Sequence, residues 1–272
     1  ADLAIEVDYP EALRFDDQTE VLWWSARYSE LEFFAPPNDS RLEAWHPVGS
    51  STGTLLAPYE TVDIGQPWTR APVYQTEGGL GPYLDFSSGA QLTLQEPEAS
   101  ERVLRSDITV IVGLRLQPAN VSDQKDTIAA GCSGSFGSRF AINRSSSSSD
   151  PPTAEAEFNE DGETSDEDQL EMSTSDVQSD LLGYAIAYDG SSATLFDVLT
   201  PQTDQEQFGI SNHGDGRLPF ILEHFGGTAG CTGPTLPFEA GDNLRADVTD
   251  IVVVEKKLDG TRVNLINETL FQ

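Results

Sequence analysis

The stretch Ile108-Thr109-Val110-Ile111-Val112-Gly113-Leu114-Arg115-Leu116 decides the fold. Several consecutive positions are apolar, so the alternation of a half-wet strand is missing, and both faces of such a strand must be covered, as in the middle of a sandwich. Its strongest companion is Tyr184-Ala185-Ile186-Ala187-Tyr188, then Asp189-Gly190-Ser191-Ser192, then Ala193-Thr194-Leu195-Phe196-Asp197. Asp-Gly supplies the positive φ that a tight hairpin turn demands. Working outward, short runs rich in Val, Ile, Leu, Tyr and Phe recur between Gly, Pro, Asn, Asp and Ser: Glu20 to Ala26, Tyr83 to Phe86, Gln91 to Leu94, Thr127 to Ala130, Arg139 to Asn143, Phe208 to Ile210, Leu218 to Phe225 and Ala246 to Glu255. The chain therefore reads as all-β, with strands enough for two packed antiparallel sheets. One helix is expected, capped by Asp259 and running through Arg262, Val263, Leu265, Ile266 and Leu270.

Two regions depart from the strand pattern. Ser29 to Gln75 is rich in Pro, Gly and aromatics with weak periodicity, which predicts a long ordered loop system over one edge of the sandwich. Residues 145–180 open with a serine run and carry many acids and few large apolar residues, which predicts either a solvated excursion or a hairpin with acidic faces. Residues 1–20 read as a leader, either an added edge strand or an arm that docks on a neighbouring subunit, and residues 21–272 as a single domain.

The 272 residues hold 46 Asp+Glu against 15 Lys+Arg, a formal net charge of −31, and only three of the bases are lysine (Lys125, Lys256, Lys257). With 38% apolar residues the chain can build a core, which excludes disorder throughout. The charge excludes nucleic acid and anionic membranes as partners, because both need a basic face. A surface this acidic and poor in lysine suits molar salt, where screening is short-ranged and carboxylates hold hydration water. A halophile or its virus is the expected source. No stretch reaches the ~18 to 20 apolar residues of a membrane span, and the first residues do not read as a signal peptide.

The strand order resembles a concanavalin A-like jelly roll of the laminin G-like type, in the form found in virion proteins of tailed viruses. The resemblance rests on Val21-Leu22-Trp23-Trp24-Ser25-Ala26, a Trp45-containing loop, Tyr74, Gly78-Gly79, Tyr83-Leu84-Asp85-Phe86-Ser87-Ser88-Gly89, the central strand, the hairpin, Leu218 to Phe225 with Gly226-Gly227, and a closing strand-plus-helix from Asp247 to Leu270. It covers about residues 20–272, leaving the acidic insertion and the leader as departures. Members of the family are implied to be sugar-binding modules, adhesins or plain structural domains.

Enzymatic signatures are missing. The related glycosidases need two glutamates around an aspartate on one strand face, and no Glu-x-Asp-x-x-Glu stands in an apolar strand. Glu155 and Glu157 alternate but are expected to face water. The histidines, His46, His213 and His224, accompany no nucleophile elbow, and His224 reads as a structural strand residue. The chain is read as a non-enzyme.

Three binding features remain. Glu157, Asn159, Asp161, Glu163 and Asp168, around Gly162, space oxygens like a calcium loop, so a Ca or Mg ion is the one cofactor the sequence suggests, although Glu157 and Asp168 depart from that loop's usual first and last ligands. Trp45, Tyr59 and Trp68 are the rings placed for carbohydrate, since a sugar's CH face stacks on an aromatic ring. Trp23 and Trp24, adjacent on a strand, must face opposite ways. Cys132 and Cys231 sit between glycines on loops and allow either one disulfide or two free thiols; no ligand spacing favours zinc.

The expected role is a structural surface component of a halophilic tailed-virus particle: a capsid decoration, a turret or spike, or a tail-fibre module. Its expected partners are other virion proteins, further copies of itself and a glycan of the host surface. It would be made in the host cytoplasm and act on the virion surface. The alternatives are a purely architectural virion protein and a cellular carbohydrate-binding module of a halophile. Dialysis from molar NaCl into dilute buffer is expected to abolish the cooperative β-sheet melt in circular dichroism, and an unchanged melt would count against salt adaptation.

Overall fold

The computed structural model describes residues 9–15, 19–36, 40–50, 53–57, 70–77, 79–87, 89–95, 104–105, 107–118, 124–133, 136–144, 152–159, 168–173, 181–197, 203–207, 220–228, 231 and 243–271. In chain order these form a 3-10 turn at Glu11–Leu13, then β1 (Val21–Ser25), β2 (Leu31–Phe33), β3 (Leu42–Trp45), β4 (Thr54–Leu56), β5 (Val73–Gln75), β6 (Tyr83–Asp85), β7 (Leu92–Gln95), β8 (Leu104–Arg105), β9 (Ile108–Leu116), β10 (Gln124–Ser133), β11 (Phe136–Arg144), β12 (Thr153–Asn159), β13 (Asp168–Ser173), β14 (Leu182–Tyr188), β15 (Ser192–Asp197), β16 (Thr203–Gln207), β17 (Phe220–Ile221), β18 (His224–Phe225), β19 (Ala246–Val254) and α1 (Gly260–Leu270). The fold is a two-sheet antiparallel jelly-roll sandwich with a short C-terminal helix.

One sheet runs β16-β15-β14-β9-β19-β6-β5, and β1 shares the far edge of β19 with β6. The other runs β13-β12-β11-β10-β18-β7-β4-β3-β2, and β8 and β17 form a small separate pair. Between the two large sheets lies the main core. Val110, Val112, Leu114, Tyr184, Ile186, Tyr188, Val248, Ile251 and Val253 enter it from the first sheet, and Leu42, Trp45, Leu55, Phe140, Ile142, Ala156 and Phe158 from the second. Phe158 stacks on Tyr188 at 4.7 Å, and Trp24 meets Phe225 at 5.9 Å.

The central strand is buried on both faces, as the run from Ile108 predicts. Its outer face is covered by α1 and the 3-10 turn: Ile111, Ala185, Ala187 and Val252 pack with Ala12, Leu13, Val263, Ile266 and Phe271. Gly113 makes this possible, because a Cβ there would stand 2.2 Å from the Phe271 ring. Asp259 caps α1, its carboxylate accepting from the Arg262 N–H at 2.9 Å.

Several expectations change. The segment 29–75 carries β2, β3, β4 and β5 and is woven into both sheets rather than lying over them as a loop. The 145–180 insertion takes the hairpin form of the two expected, as β12 and β13 continuing the sheet beyond β11, but it puts Ala154, Ala156 and Phe158 in the core. Within the leader, residues 9–15 pack on the domain itself: Tyr9 donates to the Val48 carbonyl at 2.5 Å, and Ala12 and Leu13 are buried. Leu218 to Phe225 splits into β17 and β18, and residues 208–210 lie outside the described residues. The Asp189-Gly190 turn stands as predicted, with Gly190 at φ 82° and the Asp189 carboxylate accepting from the Ser191 and Ser192 N–H groups. Among the described residues no helix is long and apolar enough to cross a membrane.

Replacing Gly113 by Ala is expected to cost about 1–3 kcal/mol in chemical denaturation, through overpacking against Phe271. Trimming the ring in a Gly113→Ala/Phe271→Leu double variant should recover part of that loss.

Candidate functional site

A cleft of about 570 Å³ opens on the outer face of the first sheet, where β1, the middle of β19 and the C-terminal end of α1 meet. Its origin is a bulge. In β19 the pairing with β9 shifts between Val248 and Asp250. Ala246 and Val248 face the core before the shift, and Ile251 and Val253 face it after. The extra residue thereby turns Asp250 away from the core and towards the cleft. The Trp23 indole N–H donates to Asp250 at 2.9 Å, and Ser25 and Thr249 also hydrogen-bond its carboxylate. Burial nevertheless holds the Asp250 carboxyl above the usual carboxylate range, the hydrogen bonds opposing the shift.

After β1 the chain turns tightly, the Ser29 N–H donating to the Ser25 carbonyl at 3.0 Å. The turn carries Arg27 and Tyr28 on the rim. Tyr28 is 48% exposed, an outlier among the described aromatic rings. It leans on Trp23 with centroids 5.7 Å apart, and the Arg27 guanidinium lies 5.3 Å above it. Trp23 is in turn held edge-on by Tyr9 at 5.8 Å. The result is a wet aromatic face beside a guanidinium, above a polar floor. Asp250 is the one carboxylate among the described lining residues, and two-carboxylate hydrolysis needs a partner for it. The chemistry on offer is stacking and hydrogen bonding.

The residues expected to bind sugar are not assembled here. Trp45 is fully buried in the main core, its indole donating to the Ser25 carbonyl at 3.3 Å, so it has no face for a ligand. Its core packing is decided by β3, which the weak local periodicity did not disclose. Tyr59 and Trp68 lie outside the described residues. Trp23 and Trp24 do face opposite ways: Trp24 enters the main core and Trp23 the outer cluster. Tyr28, Arg27 and Asp250 were missed. The signal was a break in alternation: Asp247 and Thr249 alternate with Ala246 and Val248, and Asp250 then stands where the pattern calls for a core residue, as at a bulge.

The calcium-like spacing also resolves differently. Glu157 pairs across to Gln169 within the β12–β13 hairpin, and Phe158 to Asp168, so two intended ligands are strand residues rather than ends of one loop. Glu157 is buried with Glu155 and bonded by Arg139 at 2.6 Å and by Lys125, which also holds Glu155 at 2.8 Å. Its carboxylate is thus committed to cations of the chain. Asn159 ends β12; Asp161 and Glu163 fall outside the described residues. Glu155 and Glu157 face this ion cluster and not water. Burial and the neighbouring Glu157 push the Glu155 carboxyl up to about 7, whereas Arg139 and Lys125 overcome burial and hold Glu157 below the ordinary carboxylate range.

Cys132 and Cys231 form a disulfide across 99 residues of sequence, and the Cys132 N–H donates to the Glu223 carboxylate at 3.1 Å. With both sulfurs bonded to each other, the cluster of these three residues is not a metal site. His224 bonds Thr93 at 3.2 Å, in keeping with a structural strand histidine, and His46 bonds Thr54 and Glu32; His213 lies outside the described residues.

No protein family and no curated protein matches the sequence. Solved structures do match by shape. The botulinum neurotoxin serotype G binding domain aligns with a TM-score of 0.51 at 9% identity, over 91% of this chain and 50% of that one. The botulinum neurotoxin serotype D binding domain gives 0.51 at 10% identity, over 90% and 51%. The Trypanosoma rangeli sialidase in complex with sialic acid gives 0.48 at 11%, over 89% and 33%. The chain spans about half the length of the two toxin domains, and the likeness is one of fold.

The ion cluster yields a pH signature. A carboxyl whose folded pKa is raised from 4.5 to about 7 binds more protons folded than unfolded, so its contribution falls as pH rises through that window. The melting temperature is expected to drop between pH 5 and 8 at fixed salt, and Glu155→Gln should flatten that drop and melt higher at pH 8.

Proposed function

We propose that this chain is a non-catalytic adhesion module that binds a glycan in the Tyr28 cleft and works in concentrated salt on the surface of a virus particle. The exposed Tyr28 ring beside Arg27, over a cleft large enough for a sugar ring, is the observation that carries the reading. A pyranose laid on that ring would direct hydroxyls to the guanidinium and towards the Asp250 floor. The sandwich is shared with toxin domains that are themselves named as binding domains. The net charge of −31 supports the saline setting, and the order of strand motifs, which resembles that of tailed-virus virion modules, supports the particle surface.

The test is binding of the purified, labelled protein to intact haloarchaeal cells in molar NaCl, with Tyr28→Ala beside the parent. Saturable binding weakened about tenfold in the variant is expected, the loss of one stacked ring. A folded parent that does not bind would leave an architectural role, and equal binding by the variant would move the site away from this cleft.

A further inference from the structure

We propose that a second cleft, at the opposite end of α1, is an oxyanion site that takes a carboxylate or sulfate group, such as that of an acidic sugar. It encloses about 490 Å³, and its described lining residues include Arg14, Lys256, Lys257 and Arg262, with Asp259 the only acid among them. The described lining residues thus carry 4 − 1 = +3, of which the Lys257 charge is paired with Asp189, on a chain whose total is −31. Two of the three lysines in the whole sequence meet here. In a chain with 15 basic residues against 46 acidic ones, four cations brought together from two separate stretches, Arg14 and Lys256 to Arg262, are a local concentration of positive charge.

The cations are also placed. The Arg262 guanidinium lies 4.6 Å over the Phe15 ring and donates to the Arg14 carbonyl, which ties the leader to α1. The Arg14 Nε donates to the Tyr9 carbonyl at 2.9 Å. Lys257 is anchored by Asp189 at 2.8 Å and by Ser192. The single lining acid, Asp259, is directed to the Arg262 N–H as the helix cap. Lys256 and Arg14 stand at the exposed rim. Guanidinium and ammonium groups held around an apolar ring suit an oxyanion carried on a sugar: the charge meets the cations, and the ring's CH face meets Phe15. An α1 of 11 residues is about 16 Å long, so this cleft and the Tyr28 cleft are separate sites.

The experiment is calorimetric titration of the full chain with sodium glucuronate, glucose-6-sulfate, inorganic sulfate and glucose at constant ionic strength in molar NaCl. Saturable binding of the charged probes, tighter than that of glucose, is expected, weakened about tenfold by Lys256→Gln and retained in Tyr28→Ala. Equal affinity for sulfate and for glucose-6-sulfate would support the site with the oxyanion alone as its ligand. Binding that ignores both Lys256→Gln and Lys256→Glu would overturn the proposal. So would binding that emerges only in an Asp16→Asn/Asp17→Asn variant, because the chain's own carboxylates, next in sequence to Phe15, would then be the occupant. Loss with Lys256→Gln alone, against loss with Tyr28→Ala alone, separates this site from the adhesion cleft.

Discussion

The close approach of α1 to the outer face of the first sheet is the constraint on which the rest depends. Adjacent strands present Gly113, Ala185 and Ala187 there, a surface low enough for Val263, Ile266 and Phe271 to lie directly on the backbone. That contact covers β9 and β14 on their second face and lets both be apolar throughout. It also fixes where the ends of the helix stand. The C-terminal end closes one side of the Tyr28 cleft, and the N-terminal end brings Arg262 to Arg14 and the lysines. Both candidate sites are thus consequences of one packing decision.

Charge is organised as firmly as the core. Much of the scarce basic inventory is spent inside or between sheets. Arg144 pairs with Asp126, which accepts from the Arg245 N–H at 2.8 Å, while Arg144 also donates to the Gln117 carbonyl. These bonds lock β10 and β11 of one sheet to the segments flanking β9 and β19 of the other. Arg115 pairs with Asp247, and Gln117 bridges Asp247 and Asp85 across the outer face of the first sheet. Such buried pairs cost desolvation, and removing one partner strands the other's charge, so they specify register more than they add stability. The disulfide constrains the unfolded chain across a long loop, worth about 4–5 kcal/mol in the chain-entropy picture.

The strands with the strongest local signal were legible from residues alone. The run from Ile108, the Asp189-Gly190 hairpin, the closing strand and the Asp259-capped helix all stand where their patterns put them. Short strands such as β2, β4 and β5 were not, because three residues carry too little period to separate a strand from a loop. β12 misled by its composition: Glu155 and Glu157 read as solvated, yet Lys125 and Arg139, distant in sequence, neutralise them and let them be buried. Trp45 misled because the four residues of β3 are too few to show a period that sets its ring in the core.

The sequence by itself determined the class: an all-β sandwich, intensely acidic, with a capped helix near its end and no Glu-x-Asp-x-x-Glu strand motif. Those features follow from local periodicity, turn chemistry and composition, each read within a few residues. Only the tertiary structure decided which aromatic ring stays wet, which carboxylates lose their water and which cations share a cleft. Glu155 is held by Lys125, Asp250 by Trp23 and Arg262 by the Arg14 carbonyl, each far away in sequence, and burial is a property of such partners, not of the residue that is buried.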